Sequence, residues 1–85
     1  MLVKTFILAN RADKELSKLP LQIQRKVLKV FENIQQNPVS GIRLHGELGK
    51  YYKFRVGDYR IVYSFNPSQS SVTVVKIEHR QGVYK

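Results

Sequence analysis

The chain has no cysteine and few carboxylates, and both shortages narrow what it can be. None of its 85 residues is Cys, which excludes disulfide bonds and thiolate metal sites and fits a reducing cytoplasm. Only six side chains are Asp or Glu, against fifteen Lys or Arg, so the formal net charge is +9. A charge of this sign and size indicates an anionic partner, such as nucleic acid, an acidic protein or an anionic membrane surface.

Long apolar runs are also missing. The stretch Leu2–Ala9 is interrupted by Lys4 and Thr5, is too short to span a bilayer and lacks a signal-peptide cleavage pattern. We therefore expect a cytoplasmic protein that does not act at a membrane. The hydrophobic content of 42% is that of a folded protein, and the length suffices for one modest core, so residues 1–85 should form a single domain.

Helix and strand signals follow one another in the order β-α-α-β-β-β. Leu2–Leu8 is β-prone, and Asn10 is the predicted N-cap of a first helix. Pro20 ends that helix, and apolar residues then recur at helical spacing over Leu21–Gln36. The stretch Ile42–Gly49 fits no single element. Three predicted strands follow, over Tyr51–Val56, Tyr59–Phe65 and Val72–His79.

This order favours an α+β fold in which the two N-terminal helices pack on one face of a mainly antiparallel sheet. Alternation along a strand sends successive side chains to opposite faces. Lys53 and Arg55 therefore share one face, and Arg60 lies on the side opposite to Tyr59 and Ile61. The helices should cover the apolar face and leave open a cationic face, formed by Lys53, Arg55 and Arg60, that suits a phosphate backbone.

The last third of the chain carries three motifs of cations and tyrosines. They are Tyr52-Lys53-Phe54-Arg55, Gly57-Asp58-Tyr59-Arg60-Ile61-Val62-Tyr63 and His79-Arg80-(x)2-Val83-Tyr84. Together with the element order, they resemble the RelE/ParE superfamily of toxins from toxin–antitoxin systems, over nearly the whole chain. The resemblance implies a toxin domain over residues 1–85 and a cognate antitoxin as partner. It also implies one of two activities: RelE-like members cut mRNA on the ribosome, whereas ParE-like members poison DNA gyrase and lack the nuclease residues.

The resemblance also implies a set of site residues. Carried over by position, the superfamily's catalytic residues fall on Lys53, Arg55, Arg60, Arg80 and Tyr84. His79 is a further candidate acid or base, since imidazole titrates near neutral pH. The predicted RNA-binding residues are Lys50, Tyr51 and Lys76. Arg55 stands where many RelE-like members have a second lysine, and a guanidinium is the poorer proton carrier.

The residues themselves favour RNA cleavage that is catalysed by cationic side chains rather than by a metal ion. The carboxylates are scattered and the two histidines have no partner at ligand spacing, so we predict neither a metal site nor another cofactor. Arg60 and Arg80 would hold the nonbridging oxygens of a phosphate. Lys53 lies beside the like charge of Arg55 and is the candidate general base. Tyr84 would stack on a base or bond the sugar.

Plainer interpretations of the same residues stay open at this point. Lys53 and Arg55 could form a solvated strand face, and Arg60 could ion-pair with Asp58 or Glu78. We expect a metal-independent, ribosome-dependent endoribonuclease that cleaves mRNA by attack of the 2′-hydroxyl. The alternatives are a ParE-like gyrase inhibitor and a nucleic-acid-binding module without enzymatic activity.

Overall fold

The computed structural model describes residues 2–44 and 50–79, and within them two helices pack on one face of a five-stranded sheet. The elements are β1 (Thr5–Leu8), α1 (Asn10–Ser17), α2 (Leu21–Gln36), β2 (Ile42–Arg43), β3 (Tyr51–Val56), β4 (Tyr59–Asn66) and β5 (Ser71–His79). Their order in the sheet is β1-β5-β4-β3-β2. β1 runs parallel to β5, and the other neighbouring pairs are antiparallel. The predicted α+β fold with a mainly antiparallel sheet is confirmed.

One local prediction is wrong, and one stretch that the sequence left ambiguous is resolved in part. The N-cap of α1 is Ala9, without a side-chain cap bond, and Asn10 is already helical. The reason is that the Ala9 N–H donates to Val74 O at 3.0 Å, which holds Ala9 extended beside β5 until the helix begins. The ambiguous stretch Ile42–Gly49 contributes the two-residue strand β2, whose pairing with β3 cannot be seen locally. Residues 45–49 of that stretch lie outside the described part of the chain.

The core lies between the helices and one face of the sheet. α2 contributes Val27, Phe31 and Ile34, as its helical spacing predicted, whereas Leu28 remains 50% exposed. The strands contribute Val56, Ile61, Tyr63, Val72, Val74 and Ile77. Each such side chain stabilises the fold by about 1.5–3 kcal/mol relative to an exposed position. In residues 2–44 and 50–79 both helices pack on this face of the sheet, so no described helix covers the opposite face.

Tyr63 ties the loop before β2 into this core. Its ring is fully buried and stacks on Tyr52 at a centroid distance of 5.4 Å. Its Oη accepts a hydrogen bond from the Gly41 N–H at 3.0 Å. Burial raises the pKa of the Tyr63 phenol above its ordinary value, although the bonds to Gly41 and Ser40 act against that effect. These contacts fix the position of the loop relative to β3.

A bulge in β5 changes which of its side chains face the helices. Val62 pairs with Lys76 and Tyr63 pairs with Val74, so Val75 is the extra residue. Before the bulge the even-numbered Val74 faces the core, and after it the odd-numbered Ile77 does. As a result Lys76 and Glu78 lie on the open face of the sheet.

α1 covers the edge of β5 that β1 is too short to reach. β1 ends where Leu8 pairs with Val74. Beyond that point Glu15 Oε1 accepts a hydrogen bond from the Ile77 N–H at 2.9 Å. The other carboxylate oxygen, Oε2, accepts one from Arg11 Nε at 3.1 Å. One helical carboxylate thus replaces the missing strand partner and places Arg11 near the open face.

Replacing Glu15 by alanine should lower the free energy of unfolding by about 1–3 kcal/mol, because the Ile77 N–H loses its acceptor. Urea denaturation would measure the loss, and amide hydrogen exchange at Ile77 should become faster. Glu32→Ala, on an exposed position of α2, is the control and should change stability by no more than about 0.5 kcal/mol. Equal losses in both variants, with unchanged exchange at Ile77, would contradict this role.

Candidate functional site

The open face of the sheet brings together charged side chains from three adjacent strands. Arg55 of β3 pairs with Arg60 of β4, which pairs in turn with Glu78 of β5. Two residues further along the strands, Lys53 of β3 pairs with Val62 of β4, which pairs in turn with Lys76 of β5. Paired residues of adjacent strands point to the same side. The cationic face predicted from Lys53, Arg55 and Arg60 is therefore one continuous surface, extended by Lys76.

This face contains a concavity of about 380 Å³, which we call the central cleft. Its lining comprises Arg11, Leu44, Tyr51, Lys53, Arg60, Val62, Val75, Lys76 and Glu78. Val62 is 6% exposed and provides an apolar floor. Charges held over an apolar surface act through a lower effective dielectric than charges in bulk water, so an anion in the cleft would interact strongly with the cations.

Glu78 lies between two of those cations. Its Oε1 is 2.9 Å from Arg60 Nη2 and 3.2 Å from Lys76 Nζ, and its side chain is only 19% exposed. Burial raises the pKa of the Glu78 carboxyl, but the bonds and charges of Arg60 and Lys76 outweigh this and hold the pKa below its ordinary value. The carboxylate is therefore ionised at neutral pH. Of the two acidic partners that the sequence left open for Arg60, Glu78 is the one in contact.

The Arg60 guanidinium is only partly satisfied. Its Nη2 donates to Glu78, whereas its buried Nε has no hydrogen-bond partner among residues 2–44 and 50–79. Most buried donors in folded proteins are paired, so such an atom calls for a physical reason. An arginine at a phosphate site provides one, because Nε and Nη2 together form a fork that matches two phosphate oxygens.

Four of the residues predicted from sequence line the central cleft: Tyr51, Lys53, Arg60 and Lys76. Arg55 shares the face but is exposed and does not line the cleft, since its Nε donates to Gly57 O at 3.2 Å. Lys50 lies at the margin, with Nζ 5.3 Å from the centroid of the Tyr51 ring.

Of the remaining predicted residues, only His79 is described, and it does not join this group. His79 lies on the helix-covered face, where its ring packs edge-on against Tyr59 at a centroid distance of 4.8 Å. Arg80 and Tyr84 lie outside the described residues. Their proposed roles therefore rest on the motif alone.

Two charged residues of the cleft were not among the predicted site residues. Arg11 comes from α1, and Glu78 was considered only as a possible ion-pair partner. A sequence signal existed for Arg11, because Arg11 and Glu15 are one helical turn apart and could pair. Nothing local showed that this pair would reach β5, because that contact depends on the uncovered strand edge.

Two further findings concern the described residues only. No three His, Cys, Asp or Glu side chains come together in residues 2–44 and 50–79 in a way that could hold a metal ion. Neither helix is both long and apolar enough to cross a membrane.

The comparisons with known proteins agree on one superfamily. A family model described as the ParE toxin of the type II toxin–antitoxin system parDE matches residues 6–84. Toxin RelG of Mycobacterium tuberculosis is 29% identical over 76 residues, which is 87% of each chain.

Solved structures extend this similarity to the fold. RelE in the archaeal RelE–RelB complex from Pyrococcus horikoshii is 28% identical, with a TM-score of 0.80 over 94% of this chain and 97% of that one. A variant of Escherichia coli RelE in the free state has a TM-score of 0.82 at 22% identity, over 99% of this chain and 90% of that one. The chain therefore belongs to the ParE toxin family of type II toxin–antitoxin systems, within the RelE/ParE superfamily that its motifs resemble.

Proposed function

We propose that this toxin is a metal-independent endoribonuclease that cleaves mRNA positioned on the ribosome. The observation that carries the proposal is the convergence of Lys53, Arg60 and Lys76 on one cleft with an apolar floor. RNA has an anionic phosphate at every linkage, and such a cleft can hold one phosphate with several charge-assisted hydrogen bonds. Tyr51 at the margin offers a ring on which a neighbouring base can stack.

In the proposed reaction the 2′-oxygen attacks the adjacent phosphorus while the bond from phosphorus to the 5′-oxygen breaks. The products are a 2′,3′-cyclic phosphate and a free 5′-hydroxyl. Lys53 acts as general base and accepts the proton of the 2′-hydroxyl, and the leaving 5′-oxygen takes a proton from water. Arg60 binds the nonbridging oxygens, whose negative charge increases in the transition state.

The residues of the C-terminal motif complete this proposal by analogy with the superfamily. Arg80 would add a second guanidinium at the phosphate, and Tyr84 would stack on a base. His79 would serve as a proton donor only if β5 turned at its end, because it otherwise faces away from the cleft. A site built from cations has weak acid–base groups, so it gains much from a substrate whose geometry the ribosome sets.

A cognate antitoxin is the proposed protein partner. The Pyrococcus horikoshii relative was solved as a complex of RelE with RelB. The net charge of +9 on this chain favours a partner with acidic segments, and a disordered antitoxin that folds on binding can cover a large part of so small a toxin.

Gyrase inhibition is the second candidate, since the matching family model is that of ParE toxins. Gyrase inhibition does not require the cations of the cleft to act as catalytic groups of a nuclease. The two functions therefore differ in what happens when those cations are removed.

Primer extension on a translated mRNA, after brief expression of the toxin, would decide between them. We expect discrete cuts with the wild type and with Lys29→Ala, a control at an exposed position of α2. Both Lys53→Ala and Arg80→Ala should lose the cuts, and co-expression of the antitoxin should suppress them in every active variant. Growth arrest with intact mRNA, unchanged in Lys53→Ala and Arg80→Ala, would overturn the nuclease proposal and favour gyrase.

A further inference from the structure

A carboxylate at the centre of a cationic cleft is unexpected for a site that binds an anion. Glu78 contacts Arg60 Nη2 at 2.9 Å and Lys76 Nζ at 3.2 Å, two donors that a bound phosphate would need. With Glu78 ionised, the two cations and the carboxylate carry a single net positive charge. The cleft is therefore less attractive to a phosphate than its cations alone would make it.

The geometry of Arg60 shows that Glu78 is an incomplete partner. One carboxylate oxygen of Glu78 accepts a hydrogen bond from Arg60 Nη2. The buried Arg60 Nε is left without an acceptor among the described residues. A phosphate has more acceptor oxygens than this contact uses and can accept from Nε and Nη2 together. The exchange of Glu78 for a phosphate would thus add a hydrogen bond that the free protein lacks.

We propose that Glu78 is an intramolecular occupant of the phosphate site, which a backbone phosphate must displace from Arg60 and Lys76 before RNA can bind in the cleft. The inference rests on the proposed function, since it concerns the same cleft. Glu78 lowers the affinity for RNA that diffuses freely. An mRNA held beside the cleft by the ribosome has a high effective concentration and still displaces it. Glu78 in this way contributes to selectivity for positioned RNA.

The experiment measures binding of a fluorescent, single-stranded 2′-O-methyl RNA by anisotropy over a range of salt concentrations. This probe has no free 2′-hydroxyl and cannot be cleaved by the proposed reaction, so binding is observed alone. Glu78→Gln should bind about tenfold more tightly than the wild type at low salt, which corresponds to about 1.4 kcal/mol. The slope of log K against log salt should become steeper by about 0.7, as for one more phosphate neutralised on a single strand.

Glu32→Gln is the matched control, because it removes the same charge at an exposed position of α2. It should bind within about twofold of the wild type, since salt screens a distant exposed charge. Glutamine keeps the size of glutamate and an acceptor oxygen for Arg60, so Glu78→Gln should fold. If Glu78→Gln does not fold, Glu78→Met removes the charge with a side chain of similar length, and it should show the same gain in RNA affinity.

A double-mutant comparison separates displacement from a general charge effect. In an Arg60→Gln background, Glu78→Gln should gain less than about threefold, because its main contact is already gone. An equal gain in both backgrounds, no gain in Glu78→Gln, or no measurable binding by either protein would overturn the inference. If Glu78→Gln binds more tightly while the wild type leaves mRNA intact in cells, the nuclease proposal fails and the inference about Glu78 stands.

Discussion

Replacing Arg60 by alanine should slow mRNA cleavage by about 10²–10³-fold, the usual effect of losing one preorganised donor to an oxyanion. Arg60 lines the central cleft, and β4 holds its backbone between β3 and β5. Its guanidinium is thus placed before the substrate arrives. In the proposed reaction the phosphate gains negative charge in the transition state, so the loss of Arg60 should reduce the rate constant more than the affinity for RNA.

Single-turnover cleavage on ribosomes that carry a defined mRNA would measure this effect. Arg60→Lys should recover only part of the rate, because an ammonium keeps the charge but lacks the planar fork. Arg25→Ala, which removes a cation from an exposed position of α2, should cleave at close to the wild-type rate. Should Arg60→Ala cleave within about threefold of the wild type, the ion pair with Glu78 would be the sole role left for Arg60.

Replacing Gly41 by alanine should cost about 3 kcal/mol of unfolding free energy, at the upper end of what overpacking usually costs. A Cβ at this position would lie 2.6 Å from Tyr63 Oη and 2.7 Å from Lys53 O. Tyr63 is fully buried, and Lys53 O belongs to the backbone of β3. Neither atom can therefore move without a large cost in free energy. A domain of this size is stable by only about 5–15 kcal/mol, so the expected loss is a large share.

Gly57→Ala separates crowding from backbone strain. Gly57 has φ of +58°, and an added Cβ there would meet nothing within 4 Å, so only the left-handed conformation is penalised, by about 1–2 kcal/mol. Urea denaturation should therefore rank Gly41→Ala as the more damaging change. Tyr63→Phe should cost less in the Gly41→Ala background than alone, because it removes the nearest crowded atom. Equal costs for the two alanine variants would contradict the crowding argument.

Local patterns predicted most of the elements because each has its own signals. Pro20 and the Asn37-Pro38 pair delimit α2, and the structure has that helix over Leu21–Gln36, as the apolar spacing predicted. Gly57 adopts the positive φ that a tight turn between β3 and β4 requires. The helix α1 was predicted, but its N-cap was wrong, since the hydrogen bond from the Ala9 N–H to Val74 O decides where α1 begins.

The candidate site was predictable only in part. Lys53 and Arg60 lie on regular strands, so simple alternation placed them on the open face together, and the motifs pointed to the same two residues. The cluster of Arg60 with Lys76 and Glu78 did not follow from the pattern. With unbroken alternation from Val72, both Lys76 and Glu78 would have pointed towards the helices.

The sequence by itself determined the basic character of this protein, the order of both helices and of the described strands other than β2, the superfamily that its motifs resemble and the cationic face of β3 and β4. These properties depend on composition and on periodicities within single elements. Only the tertiary structure decided that a bulge at Val75 turns Lys76 and Glu78 towards Arg60, and that Glu15 holds α1 and Arg11 at the edge of β5. Both outcomes depend on pairing between segments far apart in the chain, and so on which backbone groups the neighbouring strands leave unpaired.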